Sequence, residues 1–305
     1  MYVVSNQIID ILDQYKHRSI LDLFQDFRVD RDILKKHVRF FIKNELVIIT
    51  EDTTTFPELD LIYERPNQLE ILTIEIVEFD IIKKIFFNNE LDNLGTKSLR
   101  LIIKQNTNSI LQQILECLKD SKIQSIYLFT EYNLSLESSL KKILKQNPRL
   151  RSVIFFDCNN KNRKKRGDNI FYDSLPLKET LTKGVQGPNN FSFNFQIYIE
   201  SLKHNVGFNK TIFIDSLGNI KRYFSDYLNY GNIINKNAIE NALKNQELRE
   251  FWNITKDKIE VCKDCEFRFI CTDTRIPYKM KDKNGYSHFE SCNYDPYLNK
   301  WVNQN

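Results

Sequence analysis

The chain has 305 residues, too many for one small core, so two or three domains are expected. Its residues are 41% hydrophobic and 28% charged, as in a globular protein, and a net charge of +4 is too mild to argue for a nucleic-acid partner. No apolar run is long enough to cross a bilayer, and the opening MYVVSNQIID lacks the basic region and apolar core of a signal peptide. A cytoplasmic protein without membrane partners is therefore expected, and its six cysteines read as thiols or metal ligands rather than a disulfide framework.

Residues 1–65 read as a helical module. NQIIDILDQY places Ile8, Ile9, Leu12 and Tyr15 at helical spacing. In SILDLFQDF, Ser19 can cap a second helix that turns Leu21, Phe24 and Phe27 inward. Asp30 caps a longer third helix whose buried stripe is Ile33, Leu34, Val38, Phe41 and Ile42, and a short β-type run, Val47, Ile48 and Ile49, follows it. Three helices leading into a strand outline a winged helix-turn-helix, although a generic helical subdomain gives the same pattern. The third helix carries Arg31, Lys35, Lys36, Arg39 and Lys43, but Asp30, Asp32 and Glu45 dilute them. The following TEDTTTFPELDLIYERP adds acids where a DNA-binding wing needs bases, so nucleic acid is not the expected partner.

Residues 66–190 alternate strand and helix. LEILTIEI, SLRLIIKQ, SIYLFTE and LRSVIFFD read as short apolar strands, with SILQQILECLKD and LESSLKKILKQN as helices between them. This is the pattern of an α/β fold with a parallel sheet, and four strands predict an open or incomplete unit rather than an eight-fold barrel. Cys117 falls on the apolar face of its helix and Cys158 ends a strand, so both read as structural thiols. NNKNRKKRGDN reads as a solvated basic connector, with the alternative of a patch that steers an acidic partner. Beyond it, residues 212–215 and the run from Ile220 form a β-hairpin turning at Gly218, and AIENALKNQELREFWNI reads as one helix.

The chemistry-bearing stretch is VCKDCEFRFICTDTR. Cys262-x2-Cys265-x5-Cys271, with Cys292 later, offers four soft donors of the kind that zinc and iron–sulfur clusters share. His288, four residues before Cys292, is an alternative nitrogen ligand for zinc, and His204 reads as a packed or hydrogen-bonding residue.

From Phe191 to Asp295 the chain resembles the SPASM domain, the auxiliary-cluster module of many radical S-adenosylmethionine peptide-modifying enzymes. Cys262, Cys265, Cys271 and Cys292 match the complete ligand set of one of that family's two [4Fe–4S] clusters. The other set is lost: Gly218 matches its glycine, but Tyr223 and Arg275 stand where the family has cysteines, and none occurs near residues 206–208. The CxxxCxxC motif that opens one iron to S-adenosylmethionine is also absent, so neither that cofactor nor radical chemistry is expected. A helical start, a degenerate barrel-like middle and HNVGFNKTIFIDSLGNIK…CKDCEFRFICTD are most similar to the SPASM peptide maturases of grasp-with-spasm systems. That resemblance implies three parts: a winged-helix-like module at 1–65, a degenerate α/β domain at 66–190 and a SPASM domain at 191–305. It also implies one [4Fe–4S] cluster, zinc being the alternative, in an accessory protein that holds the precursor of a graspetide-type peptide and partners an ATP-grasp ligase.

On this reading the N-terminal module takes the leader peptide. Val47, Ile48 and Ile49 would offer a strand edge, and Lys35, Lys36, Arg39 and Lys43 would meet acidic leader residues. No Walker loop, GxSxG or HExxH is present, and no catalytic residue is assigned. A single redox-active cluster acting on the peptide is the enzymatic alternative to a structural staple.

Overall fold

The structure, a computed structural model, describes residues 19–26, 30–52, 61–87, 89–158, 169–182, 191–281 and 285–302. The chain divides into two compact units, residues 1–60 and 61–305.

In the first unit, helix α1 (Ile20–Gln25) begins at a capping box: the Ser19 hydroxyl accepts the amide of Asp22 at 3.1 Å, and the Asp22 carboxylate accepts the amide of Ser19 at 2.9 Å. Helix α2 (Arg31–Lys43) starts where the Asp30 carboxylate accepts the amides of Asp32 and Ile33, as the sequence predicts. Its buried stripe is narrower than expected. Leu34 packs with Leu23, Phe24 and Val38, while Ile33 and Ile42 are exposed. Leu23, not Leu21, is the buried residue of α1. The expected first helix and Phe27 lie outside the described residues. Val47, Ile48 and Ile49 form no strand: the chain leaves α2 through a left-handed Glu45 (φ 56°) and runs on exposed, without a ladder partner among the described residues. A strand gains its stability from such a partner.

The second unit is built on one seven-stranded sheet. In chain order its elements are β1 (Ile71–Ile76), α3 (Phe79–Phe87), α4 (Glu90–Asn93), β2 (Ser98–Ile103), α5 (Thr107–Cys117), β3 (Ser125–Glu131), α6 (Leu134–Gln146), β4 (Leu150–Phe156) and β5 (Ile170–Tyr172). There follow α7 (Leu177–Thr182), α8 (Phe195–Lys203), β6 (Thr211–Ile214), β7 (Ile220–Lys221) and α9 (Ala238–Leu243). The sheet order is β5-β4-β3-β2-β1-β6-β7, parallel throughout except for the β6–β7 hairpin. The fold class is therefore α/β with an open, mostly parallel sheet, and the four expected strands are all present.

Each right-handed crossover from β1 to β4 steps the same way across the sheet, which puts the connecting helices on one face. Leu72, Ile74, Ile76, Leu99, Leu101, Ile103, Ile126, Leu128 and Val153 alternate onto that face and pack with Ile82, Ile110, Leu111, Ile114 and Leu140. The second face carries a smaller apolar cluster of Ile102, Phe156, Leu177 and Phe213. Cys117 packs at the edge of the main core and Cys158 is buried.

Strand β6, from the segment after residue 190, pairs with β1 from Ile71↔Thr211 to Ile74↔Ile214, so one sheet spans that position. One expectation is corrected here. The helix expected over residues 238–254 ends at Leu243: the Asn245 side chain accepts the amides of Glu247 and Leu248 and turns the chain. Helical geometry returns only as a 3-10 turn, Glu250–Asn253, where Trp252 donates its indole N–H to the Thr211 carbonyl at 3.2 Å. The β6–β7 hairpin does turn at Gly218 (φ 80°), whose amide bonds to the Asp215 carbonyl at 2.9 Å. Among the described residues no helix is long and apolar enough to cross a membrane.

Candidate metal centre

After α9 the chain gives up long elements for short turns. Two further 3-10 turns, Lys256–Lys258 and Cys262–Asp264, precede two small ribbons, β8 (Pro277–Lys279) with β9 (Tyr286–His288) and β10 (Tyr294–Asp295) with β11 (Lys300–Trp301). Cys262 and Cys265 lie on the second of those turns, closed by the Cys265 amide on the Cys262 carbonyl at 3.1 Å. Val261, just before it, holds φ at 68°, a conformation that a β-branched residue adopts only at a cost. Cys271 bridges to Phe191, and Cys292 sits in the connection between β9 and β10.

These separate segments bring all four cysteines to one small cavity of about 30 Å³, walled by Phe191, Phe267, Tyr294 and Trp301. Phe191 stacks on Phe267 with ring centroids 4.6 Å apart, and Phe267 and Trp301 both pack against Tyr294. Aromatic walls exclude water, and burial accordingly pushes the Cys265 thiol up to about 12 and the Cys271 thiol up to about 11, with Cys262 raised as well. Three of the sulfurs nevertheless receive backbone N–H groups, each from the residue two positions on. The donors are Phe267 to Cys265, Asp273 to Cys271, and Tyr294 to Cys292 at 3.4 Å. Such bonds do most for a sulfur that carries negative charge, as a metal-bound thiolate does. Among the described residues no group of three or more His, Cys, Asp or Glu side chains is placed to hold a metal ion.

Beside the cavity lies a charged cluster that sequence reasoning did not assemble. Asp273 is buried between Arg275, whose Nη2 and Nε approach it at 2.7 and 2.9 Å, and Lys256, whose Nζ lies 3.4 Å away. Burial alone would raise the Asp273 carboxyl, but Lys256 and Arg275 outweigh it and hold it far below the ordinary range. Lys256 and Arg275 also line the cysteine cavity. With Asp273 ionised, the three groups carry a net single positive charge there, the sign that a set of thiolates requires. Arg275 further donates from Nη1 to the Glu290 carbonyl at 2.7 Å, tying the segment that bears Cys292 to the segment that bears Cys271.

His288 does not enter the cysteine cavity. Its Nδ1 faces the Ile276 carbonyl at 3.3 Å and its buried Nε2 lies 3.7 Å from Asp273. Burial and the neighbouring cations push it down to about 4. His204 hydrogen-bonds Asn253 at 3.2 Å, in keeping with its expected role.

No family model, curated protein or solved structure matches the chain. What stands at the positions where the SPASM resemblance would place further cysteines is therefore read from the structure alone. Tyr223 stacks on Phe251 with the rings 9° from parallel. Gly207 approaches the Asp273 backbone so closely that a Cβ would lie 2.1 Å from its carbonyl oxygen. Arg275 is committed to its ion pair. Ring stacking, a close backbone approach and an ion pair thus account for these three positions.

At the other end of the chain, Lys35, Lys36, Arg39 and Lys43 are all exposed on α2, with Lys35, Arg39 and Lys43 one turn apart along one face.

Proposed function

We propose that Cys262, Cys265, Cys271 and Cys292 hold one [4Fe–4S] cluster as a structural staple in an accessory protein of ribosomal-peptide maturation. The protein would hold the precursor and partner an ATP-grasp ligase. The observation that carries the metal centre is the convergence of four thiols on one aromatic-walled cavity, with amides two residues on aimed at three of the sulfurs.

The donor set fits a cluster. In a cubane each cysteine sulfur binds a different iron at its own corner, whereas a single zinc ion needs all four sulfurs within about 2.3 Å of one point. Four cysteine sulfurs lining one cavity offer a donor set that both metals take, and the match of their spacing to the cluster ligands of the SPASM resemblance favours the cluster. When bound, a cluster would cross-link the turn at 262–265, the Phe191 bridge at Cys271 and the connection at Cys292. Four thiolates leave no open coordination position, which favours a staple over a reaction centre.

The maturation role rests on the resemblance of residues 204–273 to grasp-with-spasm maturases, together with the exposed basic face of α2 as a contact for acidic leader residues. The winged-helix strand edge is not part of this reading, since Val47, Ile48 and Ile49 form no ladder. Incubating ligase, ATP and precursor with and without this protein tests it. The expected result is crosslinking that depends on the protein and a complex that survives gel filtration. Identical crosslinking both ways, with no complex, would overturn the helper role.

A further inference from the structure

A cavity of about 670 Å³ lies apart from the cysteine site, with Glu247, Arg249, Glu250, Ile254, Lys258 and Tyr286 on its wall. It shares no lining residue with the cysteine cavity. The wall is held from behind. In the 3-10 turn that carries Glu250 and Asn253, Phe251 and Trp252 are buried; Phe251 stacks on Tyr223, and Trp252 donates to the Thr211 carbonyl. Tyr286 is fixed through its carbonyl, which accepts the Glu260 amide at 2.7 Å. Groups held in place by the fold lose little freedom when a ligand arrives.

Arg249 is the unexplained group on this wall. Its Nε is shut off from water with no hydrogen-bond partner, and its side chain makes no ion pair among the described residues. A buried donor left unmet costs stability, and more so when it is charged. The acids closest in the chain do not relieve it. Glu250 binds Arg222 at 3.2 Å instead, and Glu247 makes no ion pair among the described residues. Lys258, the second cation on the wall, donates to the Asn253 carbonyl at 3.0 Å and has no carboxylate partner among the described residues. A half-buried arginine that passes over two nearby acids and opens onto a cavity has the form of a group kept for a ligand, at a cost to the fold.

The wall specifies the ligand. A guanidinium offers two parallel donors that match the two oxygens of a carboxylate. Glu247 and Glu250 on the same wall repel a phosphate dianion more than the single charge of a carboxylate. The volume falls within the range of about 300–1,000 Å³ usual for small-molecule sites, so a larger body can accompany the charged group. Ile254 and the half-buried ring of Tyr286 supply apolar surface for that body. We propose that Arg249, aided by Lys258, anchors the carboxylate of a small organic acid whose apolar body rests on Ile254 and Tyr286. The inference goes beyond the maturation role and rests neither on it nor on the metal.

The test titrates the full chain with N-acetylphenylalanine, its amide, acetate and inorganic phosphate, followed by calorimetry and amide chemical shifts. N-acetylphenylalanine is expected to bind saturably and more tightly than the other three. Its affinity should fall roughly tenfold or more in Arg249→Gln and less in Lys258→Met, since a forked charge-assisted pair outweighs a point charge. Arg249→Lys keeps the charge but loses the fork, and should fall between wild type and Arg249→Gln; it also serves if Arg249→Gln fails to fold. Absence of saturable binding by the acid, equal binding of acid and amide, or acetate or phosphate binding as tightly as the acid would overturn the proposal. So would equal affinity for the acid in wild type and in Arg249→Gln or Arg249→Lys.

Discussion

Replacing Asp273 with Asn removes one charge and almost no volume, yet it should be among the most damaging single changes in the chain. Asp273, Arg275 and Lys256 are exposed by only 3%, 3% and 4%. The substitution strands two buried cations that now share one carboxylate, at 2.7 Å for Arg275 and 3.4 Å for Lys256. Breaking a buried pair in this way costs about 3–5 kcal/mol, because the remaining charge stays desolvated. For a unit of this size each kcal/mol lowers the melting temperature by about 2–4 °C, so a fall of roughly 6–20 °C is expected. Calorimetric melts of the full chain supply the assay, with Glu260→Gln as control, since the Glu260–Lys263 pair is exposed and should contribute under about 1 kcal/mol. Adding Lys256→Met to Asp273→Asn removes one stranded cation and should recover part of the loss. A melt of Asp273→Asn within about 2 °C of wild type would show that the network does not anchor this region.

Gly207→Ala should destabilise by about 1–3 kcal/mol, read from denaturant midpoints, because its Cβ would fall 2.1 Å from the Asp273 carbonyl oxygen. Lowering the pH from about 6.5 to 4 should cost roughly 3 kcal/mol through His288 alone. Its folded value of about 4 against an ordinary 6.5 means that the unfolded chain takes up the proton first, so the loss grows as pH falls; His288→Gln should flatten that slope in pH-dependent melts. Arg275→Cys should lower metal retention by freeing the Glu290 carbonyl that ties in the Cys292 segment. Deleting residues 1–60 should abolish pull-down of an acidic leader peptide if the basic face of α2 is its contact.

Local pattern carried the sequence reading a long way. The four strands from Ile71 to Phe156 were legible because their apolar residues alternate or run unbroken, and the caps at Ser19 and Asp30 because a capping side chain acts on amides two or three residues away. Strand β5 has three residues, too short for periodicity to show. The pairing of β6 with β1 joins residues 140 positions apart (211 − 71), which no local pattern encodes. Residues 47–49 have β-type composition but no partner, so propensity alone misled there. At the candidate site the four cysteines were legible from spacing. The network around Asp273 was not, since Lys256 and His288 reach it only through folding. Arg275, read from the sequence as a lost ligand, gains its role from two contacts visible only in three dimensions, the Asp273 carboxylate and the Glu290 carbonyl.

The most direct test of the central claim is the metal content of protein purified without oxygen, with iron, sulfide and zinc measured on one sample. The account predicts brown protein with about four iron and four sulfide per chain, lost in Cys265→Ser. Colourless protein with one zinc per chain would contradict the cluster, and protein with neither metal would contradict the site.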